Sequence, residues 1–163
     1  MAAVSALPVA ASARFYVPAE ETPHLRTFMQ WPVSRRVYGY AGFLGDVQST
    51  IAAVANAIAA FEPVVMLADA GDHRAARRWL ADAVELWDIP TEDLWARDSG
   101  PLFAIDGAGG QRIQSLNFNG WGGKQVHRRD GQIAGRVAER LGLPLATSPL
   151  TGEPGGVEQG GHG

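Results

Sequence analysis

Short apolar runs separated by polar turns are the first regular pattern along the chain. The run at residues 64–68 is rich in valine, and the runs at 26–32 and 84–89 are similarly too short for a helix. Short apolar runs bounded by proline or aspartate are typical of buried strands. The pattern therefore predicts three strands in the first half of the chain.

Between these runs, apolar residues recur at helical spacing. Asp46 is suited to cap a helix over residues 47–61, and a second helix is predicted over residues 73–84. The apolar face of the first helix is formed by Val47, Ile51, Val54 and Ile58. Strands and helices therefore alternate.

The second half predicts a hairpin followed by a helix. Two extended runs, at residues 101–105 and 111–119, flank a Gly-rich turn. A helix is predicted over 132–142, where a glycine ends it, and residues 143–147 are extended again. The apolar face of this helix is formed by Ile133, Val137 and Leu141.

Two segments share the order strand, loop, helix, strand. Phe28-x-x-Trp31 in the first segment is matched by Phe118-x-x-Trp121 in the second, 90 residues later. Self-similarity constrains a whole fold, although two matching aromatic pairs can arise by chance. The recurrence suggests a repeated structural unit.

Composition indicates a globular chain. It has 163 residues, of which 46% are hydrophobic, and a net charge of -3, enough apolar residues for one core. The negative charge argues against nucleic acid and anionic membranes as partners, and no apolar run approaches the roughly 20 residues that span a bilayer. Because the sequence lacks cysteine, it offers no disulfide, thiolate metal site or cysteine nucleophile.

Residues 1–13 form an Ala-rich, uncharged leader that ends in Ala11-Ser12-Ala13, a form that signal peptidases accept. The leader is either the remnant of an export signal without its basic start or a flexible N-terminal segment. The two alternatives correspond to an exported and a cytoplasmic protein. Fold reasoning therefore begins at residue 14.

The run DLWARDSGP, residues 93–101, concentrates charge and an aromatic side chain before a Gly-Pro turn. In an extended backbone Trp95 and Asp98 point to opposite faces, whereas a bend would change this. The structural alternative pairs Arg97 with Asp93 or Asp98 and packs Trp95 in the core. The functional alternative is a strand-end loop that binds a ligand. For the run by itself, the structural alternative is favoured.

Two Gly-rich stretches are further candidates. FNGWGGK, residues 118–124, lacks the glycine order and the Ser or Thr of a phosphate-binding loop, so it is either a tight turn or a wall over a ligand. In GEPGGVEQGGHG, residues 152–163, His162 has no second metal ligand at regular spacing. Neither stretch predicts a metal site.

Four stretches in order resemble motifs of the agmatine deiminase and bacterial peptidylarginine deiminase family. They cover the chain from Tyr16 onward and are VPAEETPHLRTFMQWP, DLWARDSGP, NFNGWGGK and GEPGGVEQGGHG. The resemblance implies an α+β pentein fold, a ring of ββαβ units around a central site. Residues 14–163 would supply about two of five such units, the N-terminal portion of the domain.

The resemblance also implies chemistry that needs no cofactor. In this family a cysteine thiolate attacks the guanidinium carbon, ammonia leaves, and water hydrolyses the thiouronium to a ureido product. Asp98 and Glu153 match the carboxylates that hold the guanidinium, and Glu153 also helps to move protons. Trp95 would supply an aromatic wall, and Trp121 and Asn119 would shape the pocket.

Several positions modify this expectation. Pro154 and Gly160 stand where the family pattern has glycine and aspartate, and His162 aligns with a variable position. Arg97 is interpreted as a partner that orients the acids of its loop. The histidine and the cysteine of the family mechanism have no counterpart here, so this chain is expected to lack turnover by itself.

The predicted function is the N-terminal part of a deiminase that converts agmatine to N-carbamoylputrescine and ammonia. Peptidyl or free arginine, converted to citrulline, is the alternative substrate. The alternative class is a non-catalytic pentein-like binding module or an inactive fragment, because the fold also serves proteins that do no chemistry. Open sheet edges and apolar faces would favour homo-oligomers.

Overall fold

A computed structural model describes residues 14–157, so the leader at 1–13 and the stretch that contains Gly160 and His162 lie outside the described residues. The first sheet has the strand order β1-β2-β3, and all its strands are parallel. Its strands are β1 (Thr27–Gln30), β2 (Val64–Ala68) and β3 (Val84–Asp88). The three runs that the sequence predicted as strands therefore form one sheet.

Helices connect the parallel strands of this sheet. Between β1 and β2 lie α1 (Arg35–Tyr38) and α2 (Ala41–Ile58). Between β2 and β3 lie a 3-10 turn (Ala70–Asp72) and α3 (His73–Ala76).

The second sheet follows α4 (Ala96–Ser99) and contains the predicted hairpin. Strand β4 (Leu102–Ile105) pairs antiparallel with β5 (Gln111–Ser115), which pairs parallel with β6 (Leu145–Thr147). Between β5 and β6 lie α5 (Gly120–Gly123), a 3-10 turn (Asp130–Gln132) and α6 (Ile133–Leu141), and a third 3-10 turn (Pro154–Gly156) follows β6.

Strand β2 separates two apolar cores. Every residue of β2 is buried, and its alternating side chains enter opposite cores. Val64 and Met66 pack with α2, whereas Val65 and Leu67 pack with α6 and with Ile113 of β5. Because both faces of β2 are covered, a continuous apolar run is the sequence that this position requires.

The repeated order of elements is confirmed. Strand β1 leads through α2 to its parallel neighbour β2, and β5 leads through α6 to its parallel neighbour β6. The aromatic pairs do not occupy equivalent positions, since Phe28 lies within β1 whereas Phe118 lies beyond the end of β5. Asn117 has a φ of 53°, a left-handed backbone that ends β5 before the predicted residue 119.

The predicted start of the first helix is wrong. Gly39 (φ 69°) turns the chain out of α1, Tyr40 is the N-cap of α2, and α2 begins at Ala41. Asp46 therefore lies inside the helix and does not cap it.

The predicted face of this helix is confirmed for Ile51 and Ile58, which pack against the core, and is wrong for Val54. Val54 is 44% exposed, because Ala52 and Ala55 bring the helix close to β2 on the adjacent face.

The predicted second helix is also too long. Helix α3 ends at Ala76 because tertiary hydrogen bonds fold the next residues into turns. The Asn56 side chain donates to the Trp79 carbonyl (2.9 Å) and accepts from the Ala81 N–H (2.8 Å). The Arg77 guanidinium donates to the Ala81 and Val84 carbonyls at 2.8 and 2.9 Å.

Candidate functional site

The loop between β3 and α4 is fixed by hydrogen bonds to other elements. The Thr91 hydroxyl donates to the Trp31 carbonyl (2.6 Å), and the N–H groups of Glu92 and Asp93 donate to the Asp130 carboxylate (2.8 and 3.0 Å). This loop therefore keeps a defined backbone although it forms no strand itself.

Asp93 is the buried acid of this loop. Its Oδ1 accepts from the Tyr38 hydroxyl and from the Leu94 N–H (2.7 Å), while Oδ2 has no hydrogen-bond partner among the described residues. Asp93 is 2% exposed, so its role is to support the loop from inside.

Helix α4 is tied to the end of β1. The Ser99 hydroxyl donates to Oε1 of Gln30 (2.8 Å), and Nε2 of Gln30 donates to the Asp93 carbonyl (3.1 Å). Gln30 is 1% exposed, so a buried amide links the end of β1 to both ends of the DLWARDSGP run. Of the two backbones considered for this run, extended or bent, the structure has the bent one, because residues 96–99 form this helical turn.

Asp98 lies against the C-terminal 3-10 turn. A Cβ built on Gly155 would overlap with Oδ1 of Asp98 and would lie 3.0 Å from Cγ of Arg97. A side chain at position 155 would therefore force the Asp98 carboxylate or the Arg97 side chain to move, and Glu153 directly precedes the turn. The structure thus brings the two predicted carboxylate-bearing segments together.

Three aromatic rings pack together at the N-terminal end of α4. Trp95 meets Trp121 edge-to-face at a centroid distance of 6.4 Å, and Phe118 meets Trp121 edge-to-face at 5.0 Å. Trp95 is 50% exposed, so it is not a core residue as the structural alternative required. The exposed ring is available to a ligand.

Trp121 is presented by an unusual turn. Residues 120–123 all have positive φ, and Trp121 itself has φ 54° and ψ 51°. Oδ1 of Asn119 accepts from the Gly122 N–H (2.8 Å), which stabilises the left-handed turn. A Cβ on Gly120 would lie 2.6 Å from the Gln125 carbonyl oxygen, so that position also requires glycine.

The position of Glu153 follows from contacts made by the segment before it. Nδ2 of Asn117 donates to the carbonyls of Ser148 and Leu150 (2.6 and 3.0 Å), and the Gly152 N–H donates to the Leu116 carbonyl (2.8 Å). The stretch that leads to Glu153 is therefore attached to the end of β5.

Arg97 does not pair with an acid of its own loop, which corrects the prediction. Its guanidinium lies 2.6 Å from Oε1 of Glu20, in the N-terminal segment, and both side chains are more than half exposed. A surface pair of this kind contributes at most about 1 kcal/mol. Arg97 therefore forms no ion pair with Asp98.

Comparison with known proteins decides the family. The model of the Porphyromonas-type peptidyl-arginine deiminase family matches residues 16–163. The chain belongs to this family. The resemblance inferred from the four motifs is thus confirmed.

Proteins similar in sequence to this chain are named agmatine deiminases and are longer than it. That of Stutzerimonas stutzeri is 40% identical over 131 residues, which are 77% of this chain and 35% of the relative. That of Ectopseudomonas mendocina is 36% identical over 156 residues, which are 91% of this chain and 42% of the relative. This chain therefore spans less than half the length of these relatives.

A solved structure supports the fold of this family member. Agmatine deiminase of Enterococcus faecalis superposes with a TM-score of 0.83 at 26% identity, over 97% of this chain and 46% of that chain. The α+β class and the pentein fold are confirmed.

Sequence reasoning missed Asp130 and Tyr38, which support the loop of this deiminase-family chain. Burial raises the pKa of Asp130 to about 7, and the charges of Glu92 and Asp93 act in the same direction, against the hydrogen bonds from the loop. Burial raises the pKa of the Tyr38 hydroxyl well above its usual range, and the hydrogen bond to Asp93 adds to the shift. No local sequence signal marks either residue.

A separate groove of about 650 Å³ lies beside α3 and β3. None of the predicted site residues lines it, and its basic side chains include Arg74 and Arg77. Its lining also includes Asp82 and Glu85, so acidic and basic side chains balance in this groove.

Two further findings concern metals and membranes. Within residues 14–157, no group of three or more acidic or histidine side chains is placed to hold a metal ion. No helix in that range combines the length and the apolar character required to cross a membrane.

Proposed function

We propose that this chain forms the guanidinium-binding part of a deiminase whose substrate is agmatine. The observation that carries the proposal is the approach of Asp98 to the turn after Glu153, in a helix whose N-cap is the half-exposed Trp95. A planar cation requires carboxylates at its N–H edge and tolerates an aromatic ring at its face. The approach of these segments to one another supports the proposal.

The expected energies are those of a moderately desolvated ion pair. One close carboxylate–guanidinium contact supplies about 4 kcal/mol of attraction at an effective dielectric of 20, before the cost of desolvation. A cation–π contact with Trp95 adds about 0.5–2 kcal/mol. Asp98 and Glu153 would hold the guanidinium, Glu153 would also move protons, and Trp121 and Asn119 would shape the pocket.

The printed sequence contains no cysteine, so nucleophilic attack is assigned to none of its residues. The proposed role of this chain is to bind and orient the guanidino group for that attack. Agmatine is favoured because the relatives are named agmatine deiminases; free and peptidyl arginine are the competing substrates.

The test is ammonia release by the product of the complete gene, with agmatine, free arginine and an arginine-containing peptide as substrates. Agmatine should give the highest kcat/KM, and absence of ammonia from all three would contradict the proposal. Agmatine binding without ammonia release would instead support a non-catalytic binding module.

Asp98→Asn should lower kcat/KM for agmatine by at least about 100-fold, because the variant loses the charge that faces the guanidinium. Asp106→Asn is the matched control. Asp106 accepts from the Ala108 and Gly110 N–H groups in the β4–β5 turn, so its loss should leave kcat/KM unchanged. Equal kinetics of Asp98→Asn and Asp106→Asn would remove Asp98 from the site.

We also propose that copies of the chain associate. Large apolar side chains are exposed, with Phe61 at 91% and Leu25 at 79%. Both residues precede neighbouring strands, β2 and β1, so they lie at the same end of the first sheet. Exposed apolar surface of this kind favours self-association.

A further inference from the structure

We infer that Asp130 is a positioning residue for the guanidinium site: its carboxylate fixes the main chain that presents Trp95 and Asp98. The inference rests on the proposed function for the identity of the ligand. Asp130 itself is not proposed to touch substrate.

The contact is bidentate and buried. Oδ1 of Asp130 accepts from the Glu92 N–H at 2.8 Å, and Oδ2 accepts from the Asp93 N–H at 3.0 Å. Asp130 is 2% exposed, so water does not replace these bonds in the folded state. A carboxylate that receives two consecutive N–H groups fixes both peptide planes at once.

Neighbouring bonds extend this attachment in both directions. The Arg129 N–H donates to Oε2 of Glu92 (2.9 Å), and Oδ1 of Asp93 accepts from the Leu94 N–H (2.7 Å). Three successive main-chain N–H groups before Trp95 are thus held by carboxylates rather than by a strand partner.

Asp130 also connects the two aromatic walls of the site. It lies between α5, which carries Trp121, and α6, and its 3-10 turn contacts α4 directly. A Cβ on Gly131 would lie 3.0 Å from the Phe118 carbonyl oxygen, so this turn also lies against the segment that leads to Trp121. Moving Asp130 would therefore alter the spacing of Trp95 and Trp121.

The ionised form of Asp130 is the one that accepts both N–H groups, because a protonated carboxyl spends one oxygen as a donor. The charged and titratable groups near it are Glu92 and Asp93 on the loop, Tyr38 on α1, Arg97 and Asp98 on α4, and His127 and Arg129 on its own segment. The pKa of Asp130, raised by burial to about 7, places the change near neutral pH.

The principal test compares agmatine binding by wild type, Asp130→Asn and Asp106→Asn in the product of the complete gene, by calorimetry at pH 8. Asparagine has nearly the same shape as aspartate, but it presents an NH2 donor, in place of an acceptor oxygen, to one of the N–H groups of Glu92 and Asp93. Asp130→Asn should raise the Kd for agmatine by at least about tenfold, whereas Asp106→Asn should leave it unchanged. Equal affinities in all three proteins would overturn the inference.

A second measurement needs no variant. Hydrogen exchange of residues 91–99, corrected for the intrinsic effect of pH, should be about tenfold faster at pH 6 than at pH 8, while residues 101–115 stay unchanged. Equal protection of residues 91–99 at both pH values would contradict the inference. This result is independent of the ligand, so it separates failure of the positioning role from failure of wild type to bind agmatine.

Discussion

Gly155 is the residue whose substitution most directly changes the environment of Asp98. A Cβ at this position would collide with Oδ1 of Asp98, whereas the Cβ site of the nearby Gly152 has no atom within 4 Å. The two glycines lie in the same segment, so they form a matched pair.

Gly155→Ala should displace the Asp98 carboxylate and weaken agmatine binding by at least about tenfold. Gly152→Ala should bind as wild type does. Calorimetry on both variants, with urea unfolding to verify the fold, measures the difference. Wild-type affinity of Gly155→Ala would show that the contact with Asp98 does not matter for the site.

Because its pKa is raised, Asp130 makes the free energy of unfolding depend on pH. The folded protein holds this proton up to about pH 7, whereas the unfolded chain releases it near the ordinary value of 3.8. The folded state therefore binds more protons between these values, and the free energy of unfolding falls as pH rises through that interval. The slope from one group is at most about 1.4 kcal/mol per pH unit.

Asp130→Asn should remove this contribution, because asparagine does not titrate. Urea unfolding of wild type and variant from pH 5 to pH 8 gives the difference in unfolding free energy at each pH. We expect wild type to lose stability relative to the variant as pH rises, although its loop becomes better positioned. A constant difference across the range would exclude a raised pKa for Asp130.

Among the elements, α2 depends on small residues for its packing. Ala55 is 0% exposed and lies in the core with Val64 and Met66, whereas Ala57 of the same helix is exposed. A larger side chain at Ala55 would separate the helix from β2. One at Ala57 would extend into solvent.

Ala55→Leu should destabilise the protein by about 1–3 kcal/mol through overpacking. Ala57→Leu should change stability by less than about 0.5 kcal/mol. Urea midpoints of the two variants test this, and equal midpoints would show that α2 is not packed through its alanine face.

Elements were predictable from sequence where local pattern and tertiary environment agree. Strand β2 matches the predicted run residue for residue because both its faces are buried. Helix α3 is shorter than predicted because Asn56 and Arg77 bind backbone groups of the following turns. Those bonds form only in the folded chain, so no periodicity records them.

The candidate site, too, was predictable from the sequence only in part. The motifs indicated Asp98, Glu153 and Trp95, and the fold brings their segments together. The support from Asp130 was not predictable, since its bonds join residues 37 and 38 positions apart. The pairing of Arg97 with Glu20 was missed because the sequence offered acids closer along the chain.

At the scale of the whole molecule, exposed apolar residues are the main feature without a partner among residues 14–157. Phe61 and Leu25 lie at the amino ends of neighbouring strands and are largely exposed. Edge strands β1 and β3 lie at the two sides of the same sheet. Such surfaces favour association between copies.

Phe61→Glu should shift the isolated chain toward smaller species in size-exclusion chromatography with light scattering. Ala57→Glu adds the same charge at an exposed position without removing a large apolar side chain, so it should leave the distribution unchanged. A wild-type chain that is monomeric at all concentrations would contradict self-association.

The central claim, that this chain supplies a guanidinium site, is tested most directly by calorimetry on the product of the complete gene. Agmatine and 1,4-diaminobutane have the same four-carbon amine, but only agmatine carries a guanidino group. We predict that agmatine binds at least about tenfold more tightly than the diamine, and that Asp98→Asn abolishes this preference. Equal affinity for the two compounds, or a preference that survives Asp98→Asn, would contradict the account.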